Sequence, residues 1–258
     1  MDQKTDVDDI TGFYDLISGD YDRMTGFEQR FVRERPFIKM LVDRHSIRTA
    51  LDAGTGTGFH ALLLAQLGVQ VTAVDISPAM IAALDDHAAS MGVAITTLVA
   101  PFRELPDWIR KPQDAIFSLG NTVAHASSYD ELVASLVAFR RVLRPGGMLL
   151  LQLLNYKRIL ATKESTQIVR EEGNTRFVRW YAYEDARIRF NITREYAGDV
   201  QPASTISVLL TPFTDDDLRA GLAAAGFADV RIYGSIAMET YEADRSKDCV
   251  VLAQVPAI

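Results

Sequence analysis

Two carboxylates and three glycines are the residues best placed to do chemistry. Asp52-Ala53-Gly54-Thr55-Gly56-Thr57-Gly58 follows the apolar run Thr49-Ala50-Leu51 and precedes a helical pattern from His60 to Leu67, so a buried strand turns sharply into a helix. Without Cβ atoms at the glycines, the backbone can take positive φ and let a ligand pack directly on it. The free amides at the helix start favour an anionic or hydrogen-bonding guest. A second apolar run, Val69 to Val74, ends in Asp75. That is roughly the ~20-residue offset at which nucleotide-binding α/β folds place a ribose-binding acid. Ser77-Pro78 already supplies a helix cap and a first-turn proline, which leaves Asp75 free for a ribose.

The glycine spacing separates two guests. A dinucleotide fingerprint needs Gly-x-Gly-x-x-Gly, and Phe59 stands where its third glycine belongs. Asp-x-Gly-x-Gly-x-Gly resembles motif I of the class I S-adenosylmethionine (SAM) dependent methyltransferases. Further along, Leu119-Gly120-Asn121-Thr122-Val123-Ala124-His125, Arg144-Pro145-Gly146-Gly147 and Asn155-Tyr156-Lys157-Arg158-Ile159-Leu160 are similar to motifs of glycine and sarcosine N-methyltransferases. The resemblance covers nearly the whole chain.

It implies a SAM cofactor held by Asp52, Ala53, Gly54, Thr55, Gly56 and Gly58, with Asp75 on the ribose. Leu119, Gly120 and Asn121 would line the same cofactor, and Ile76, Met80, Pro101 and Phe102 would hold adenine. The family usually has Asp or Asn just beyond the third strand; here Ala100-Pro101-Phe102 offers no such side chain, so a backbone carbonyl, the Arg103-Glu104 step or apolar contact must serve. An N-terminal tyrosine-rich segment, with Tyr14 and Tyr21, would close over SAM. Arg30 would grip its carboxylate, with Arg33 as the fallback, a bidentate task suited to a guanidinium. Asn121, His125 and Tyr21 would stand at the reaction centre, the Asn121 amide presenting the acceptor.

These side chains need a frame. Strand and helix patterns alternate up to Met148–Leu154, an apolar run that reads as a strand buried on both faces. The expected fold is α/β, a doubly wound Rossmann-like, seven-stranded and mostly parallel sheet. Residues 1–45 read as a helical lid, in which Gly19 interrupts the first helix and Pro36 kinks or divides the second. Residues 46–258 read as the SAM-binding domain, with 163–173 a polar connection. An antiparallel ribbon is inserted at about 175–211, where apolar and polar residues alternate. On its first strand Phe177, Arg179, Tyr181 and Tyr183 share a face. Arg179 or Arg176 there would hold an acceptor carboxylate, with Tyr181 and Asn155 also toward the substrate.

Composition limits the partners. The 258 residues are 48% hydrophobic and 24% charged, with a net charge of -7 that argues against a nucleic-acid partner and for a small metabolite. Cys249 is the single cysteine, within an apolar run, so neither a disulfide nor a cysteine metal site is expected, and no metal is assigned. No run reaches the ~18 apolar residues of a membrane span, and the acidic, polar start is unlike a signal peptide, so a cytoplasmic protein is expected. The N-terminal segment and the ribbon offer surfaces for self-association.

The expected activity is methyl transfer from SAM to a small polar metabolite, preferably an amine nitrogen. An alternative is O-methylation of a hydroxyl or carboxylate compound with His125 as base. From other classes stand a non-catalytic SAM-binding protein and an NAD-dependent oxidoreductase.

Overall fold

The structure, a computed structural model, describes residues 3–6, 10–163, 168–197 and 203–257. Strand β1 (Gln3–Asp6) and helices α1 (Ile10–Thr25) and α2 (Phe27–His45) come first. Then follow β2 (Thr49–Ala53), α3 (Phe59–Gln66), β3 (Gln70–Asp75), α4 (Pro78–Met91), β4 (Thr96–Val99) and the short α5 (Leu105–Trp108). Next are β5 (Gln113–Ser118), α6 (Tyr129–Val142), β6 (Leu143–Leu154) and α7 (Tyr156–Thr162). The chain continues with β7 (Ile168–Glu172), β8 (Thr175–Glu184), β9 (Arg187–Tyr196) and β10 (Ser204–Leu210). It closes with α8 (Asp215–Ala224), β11 (Ala228–Tyr233) and β12 (Asp248–Gln254).

Seven strands form one sheet in the order β11-β12-β6-β5-β2-β3-β4, parallel except at β12, which runs against both its neighbours. The α/β expectation holds. Both faces are covered: Leu149, Leu151 and Leu153 of β6 enter one apolar cluster with Leu132, Leu136 and Phe139 of α6, whereas Met148 and Leu150 enter another with Leu62, Leu63 and Leu64 of α3. Alternate residues of one strand thus serve two layers, as a parallel sheet requires. β2 and β5 are adjacent, yet their crossovers lead to opposite edges, which opens a crevice beyond their carboxyl ends.

A second sheet has the order β1-β10-β9-β8-β7 and is antiparallel apart from the β1–β10 pair. Two of its strands depart from expectation. Of the stretch read as a polar connection, 164–167 lie outside the described residues, but 168–172 form β7, because Val169 and Arg170 pair along β8 with Val178 and Phe177. The segment read as a helical lid also supplies β1, whose pairing with β10 no alternation in its four residues announced. Met1, Asp2 and Ile258 lie outside the described residues.

The two N-terminal helices also differ in detail. Gly19 does not interrupt α1, since nothing crowds it; the break comes at Gly26, whose φ of 73° reverses the chain into α2. Pro36 does not divide α2. The helical turn it disturbs is at the surface, where Val32 is exposed and water can serve the freed carbonyl. On the inner side of α2, Glu34 is buried, its Oε1 accepting from Arg30 Nε (2.9 Å) and its Oε2 meeting His60 Nε2 (3.1 Å) on α3.

This pair joins α2 to the main layer. Burial works against the Glu34 carboxylate, but His60 and Arg30 outweigh it and hold the group down at about 2. A depressed carboxylate stabilises the fold above its unfolded pKa and loses that contribution as the pH falls toward the folded value. Glu34→Gln is therefore expected to cost about 3 kcal/mol near pH 6, as breaking one side of a buried pair does. In urea unfolding, the gap from the parent protein should shrink between pH 4.5 and 2.

Candidate active site

A cavity of about 400 Å³ occupies the crevice, walled by the glycine loop, the ends of β3 and β4, the loop after β5, and α1. The loop is shaped by its backbone. Gly54 N and Thr55 N donate to Val74 O (2.8 and 3.0 Å), which binds the end of β2 to the end of β3. Gly54, Gly56 and Gly58 all have positive φ (76°, 56° and 92°). A Cβ at Gly54 would overlap the Thr122 side chain, and one at Gly58 would overlap Leu84. At Gly56 the added atom would meet the Tyr21 ring at 3.6 Å, inside the cavity.

Not every residue of the motif reaches the cavity. Asp52, Ala53, Thr55 and Gly58 lie behind the wall: Thr55 Oγ donates to Asp52 Oδ2 (2.7 Å), so the motif acid braces the loop from within. Met80 is fully buried in the core beneath α4 rather than beside a ligand. These five, expected as direct contacts, do not line the cavity in this structure. Gly54, Gly56, Asp75, Ile76, Pro101, Phe102, Leu119 and Gly120 do line the cavity, with Tyr14 and Tyr21 above.

Asp75 is the polar floor. Its Oδ2 accepts from Gly56 N (2.8 Å) and its Oδ1 from Ser77 N (3.0 Å), leaving each oxygen further lone pairs for a ligand. Burial raises its carboxyl, and the backbone donors of Ser77, Gly56 and Ile76 oppose that rise. Where the acid beyond the third strand is missing, Phe102 packs on Phe139 with ring centroids 5.0 Å apart. Glu131 and Ser135 of α6 line that end with Arg103. Neither α6 residue was singled out from the sequence; their i, i+4 spacing on a helix beside the reaction edge is the signal that would have found them.

Helix α1 roofs the cavity through specific bonds. Asp15 Oδ1 accepts from Ser77 Oγ (2.5 Å) and Ala79 N (3.3 Å) at the start of α4. Asp22 Oδ1 accepts from Thr57 Oγ (2.5 Å), and its Oδ2 lies 3.1 Å from His87 Nε2. Tyr14 Oη is hydrogen-bonded to His125 Nε2 (2.7 Å), while His125 Nδ1 is buried without a partner among the described residues. Burial, reinforced by Arg187, pushes His125 down to about 4, so its imidazole is neutral at pH 7.

A second chamber of about 290 Å³ lies beyond Tyr14, Tyr21, Gly120 and His125, which line both spaces. Arg30, Asn121, Arg179 and Tyr181 line this chamber. Arg30 is held by Glu34 and lies over the Phe59 ring, 4.2 Å from its centroid. Arg33 is largely exposed and lines neither space. Asn121 adopts a left-handed φ of 72°, its Nδ2 donating to Tyr156 Oη (2.7 Å) and its Oδ1 accepting from Leu154 N (3.1 Å). Its amide is thus spent mainly on the fold, with one Nδ2 hydrogen left.

Two expected substrate residues are elsewhere. Asn155 is buried and caps α7; its Nδ2 donates to Ala243 O and Ser246 O (2.9 Å each), and its Oδ1 accepts from Arg158 N and Tyr241 Oη. Every bond it can make is internal. Arg176 is on the exposed face of β8, paired with Glu195 (2.7 Å) and Glu171 (3.7 Å), because the strand's period of two turns it away from Arg179.

The loop geometry makes a stability test. Gly54→Ala and Gly68→Ala both place a side chain at positive φ, a cost of about 1–2 kcal/mol, but Gly68 faces open space and Gly54 faces Thr122. Urea unfolding should show the larger loss at Gly54.

Residues 50–147 match a family model described as a methyltransferase domain. A glycine/sarcosine N-methyltransferase from Aphanothece halophytica is 27% identical over 233 residues, covering 87% of this chain and 82% of that protein. Among solved structures, the CcbJ methyltransferase from Streptomyces caelestis has a TM-score of 0.81 at 21% identity, over 96% of this chain and 100% of the other. SAM-bound CalS10, an amino pentose methyltransferase from Micromonospora echinaspora involved in calicheamicin biosynthesis, has a TM-score of 0.63 at 19% identity, over 89% and 90%. The cavity suits SAM: at Gly56 the backbone lies open to it, where a Cβ would project toward the Tyr21 ring, and the Asp75 carboxylate in its floor keeps spare lone pairs that a ribose could use. The match of residues 50–147 to a methyltransferase domain, rather than the ribose contact that NAD would share, sets the NAD alternative aside: the chain is a SAM-dependent methyltransferase, and SAM is its cofactor.

Proposed function

We propose that the methyl group goes to the nitrogen of a small amine. The observation that carries this reading is the lack of a base. No Asp, Glu or Lys lines the acceptor chamber among the described residues. His125, the one imidazole in its wall, is held near 4 by burial, far below the pKa at which a general base is effective at neutral pH. Burial raises the phenols of Tyr14 and Tyr21, and pushes Tyr181 up to about 12. A hydroxyl acceptor would have nothing to take its proton. An amine brings its own lone pair, and the guanidinium of Arg179 in the wall disfavours its protonated form in the chamber.

In this reading Asp75 receives the ribose hydroxyls, Ile76 and Phe102 flank the adenine, and Arg30 faces the cofactor carboxylate. SAM supplies an electrophilic methyl on a sulfonium. The chain's own contribution is alignment and exclusion of water: α1 closes over both spaces, and Tyr14, Tyr21 and Gly120 form the boundary between them. Holding two reactants in line is worth up to ~7–11 kcal/mol in favourable cases. Arg179 is the residue facing an anionic group on the acceptor. The names of the A. halophytica and CalS10 proteins, which specify glycine, sarcosine and an amino pentose, support an amine acceptor.

The test is the pH profile of methyl transfer with SAM and a panel of amines and hydroxyl compounds. The rate constant kcat/KM is expected to rise across the acceptor ammonium's own ionisation. In His125→Ala the shape should be unchanged, while KM for SAM rises because the Tyr14 bond is lost. Transfer to a hydroxyl that His125→Ala abolishes would overturn the reading. Calorimetry with S-adenosylhomocysteine (SAH) should find Asp75→Ala weaker by roughly 10- to 150-fold, as for loss of a charged hydrogen bond.

A further inference from the structure

The acceptor chamber draws part of its wall from the second sheet, which contributes nothing to the first cavity. Arg179 and Tyr181 on β8 pair across the strands with Ile192 and Phe190 on β9, and Leu210 of β10 lines the same space. Phe13, Ile17 and Met24 of α1 close it from the other side, all three buried. Several of the polar side chains in these walls are engaged within the protein. Gln152 accepts from Gly120 N and donates to Asp248, Thr25 Oγ donates to the Asp22 carbonyl, and Asn121 is bound as described above.

Arg179 is different. Its Nε is buried with no hydrogen-bond partner, and no ion pair reaches it among the described residues. A guanidinium in a largely apolar wall carries a desolvation cost that an anion beside it would offset. The space is also large for a compound without a side chain: 290 Å³ equals the liquid volume of about ten waters, at ~30 Å³ each.

We infer that the acceptor pairs a carboxylate, held by Arg179, with an apolar body of leucine or phenylalanine size seated among Phe13, Ile17, Phe190 and Leu210. This rests on the N-methylation reading only for the identity of the methylated atom. Glycine would leave the apolar walls unfilled. An amino sugar would set several hydroxyls against Phe13, Ile17, Phe190, Ile192 and Leu210, which offer no donor or acceptor side chain, and that is costly for buried polar groups. The chamber thus selects a hydrophobic amino acid or a close analogue.

Methyl transfer with glycine, sarcosine, an amino pentose, leucine, phenylalanine and phenethylamine tests this, alongside binding of 3-phenylpropionate to the SAH-loaded protein. Phenylalanine or leucine is expected to exceed glycine in kcat/KM by on the order of 100-fold or more, since one methylene alone is worth ~10- to 200-fold. Phenethylamine, which lacks the carboxylate, should fall at least tenfold below phenylalanine. The carboxylate 3-phenylpropionate has no nitrogen to methylate, yet it should raise the midpoint of thermal unfolding. Arg179→Gln should remove that shift and level phenylalanine with phenethylamine, while SAH binding stays unchanged. Glycine, sarcosine or the amino pentose as the best acceptor would overturn the inference, as would 3-phenylpropionate binding that ignores Arg179→Gln. Arg179-dependent binding of 3-phenylpropionate with the methyl found on oxygen would uphold the chamber assignment and overturn the nitrogen reading instead.

Discussion

The carboxylate of Asp75 is the point on which the site depends. It ends β3, and its two oxygens take the Gly56 and Ser77 amides, so one side chain fixes both the glycine loop and the start of α4. The loop is tied a second time to the same strand end, where the Val74 carbonyl receives Gly54 and Thr55. A buried acid is stable here because backbone donors surround it. Those donors also leave lone pairs facing the cavity, which is how a structural brace becomes a ligand contact.

From that point the roof is organised. Asp15 reaches the cap of α4, Asp22 reaches Thr57 of the loop, and Tyr14 reaches His125 on the opposite side. Further along α1, Asp20 pairs with Arg194 of β9, so the same helix is fastened to both sheets. Tyr14 and Tyr21 then face both spaces from one rigid element.

The main sheet was legible because its strands are short apolar runs punctuated by glycine, proline and acid, and because Ser77 and Ser128 cap the helices that follow β3 and β5. The site was legible where backbone conformation decides it. Gly54 and Gly56 had to be where they are, and Asp75 followed from strand length. Side-chain bonding between distant segments was not legible. That Asn155 would spend its whole amide on Ala243, Ser246, Arg158 and Tyr241 depends on a loop nearly 90 residues away. The same holds for Glu34 and His60, whose types suggest surface residues until α2 and α3 meet. The strand β7 was missed because charged Arg170, Glu171 and Glu172 hide a pairing that only β8 makes favourable.

The two sheets divide the labour unequally. The first cavity is walled by the ends of the main sheet, the loop after β5 and helices α1 and α6, whereas β8, β9 and β10 line only the second chamber. Arg179, Phe190 and Leu210 therefore shape the second chamber without touching the wall that holds Asp75 and the glycine loop. Such a partition makes the fold easy to diversify: the methyl-donating half can be inherited intact while the ribbon drifts. A shared architecture among proteins whose names specify glycine and an amino pentose is what that arrangement allows.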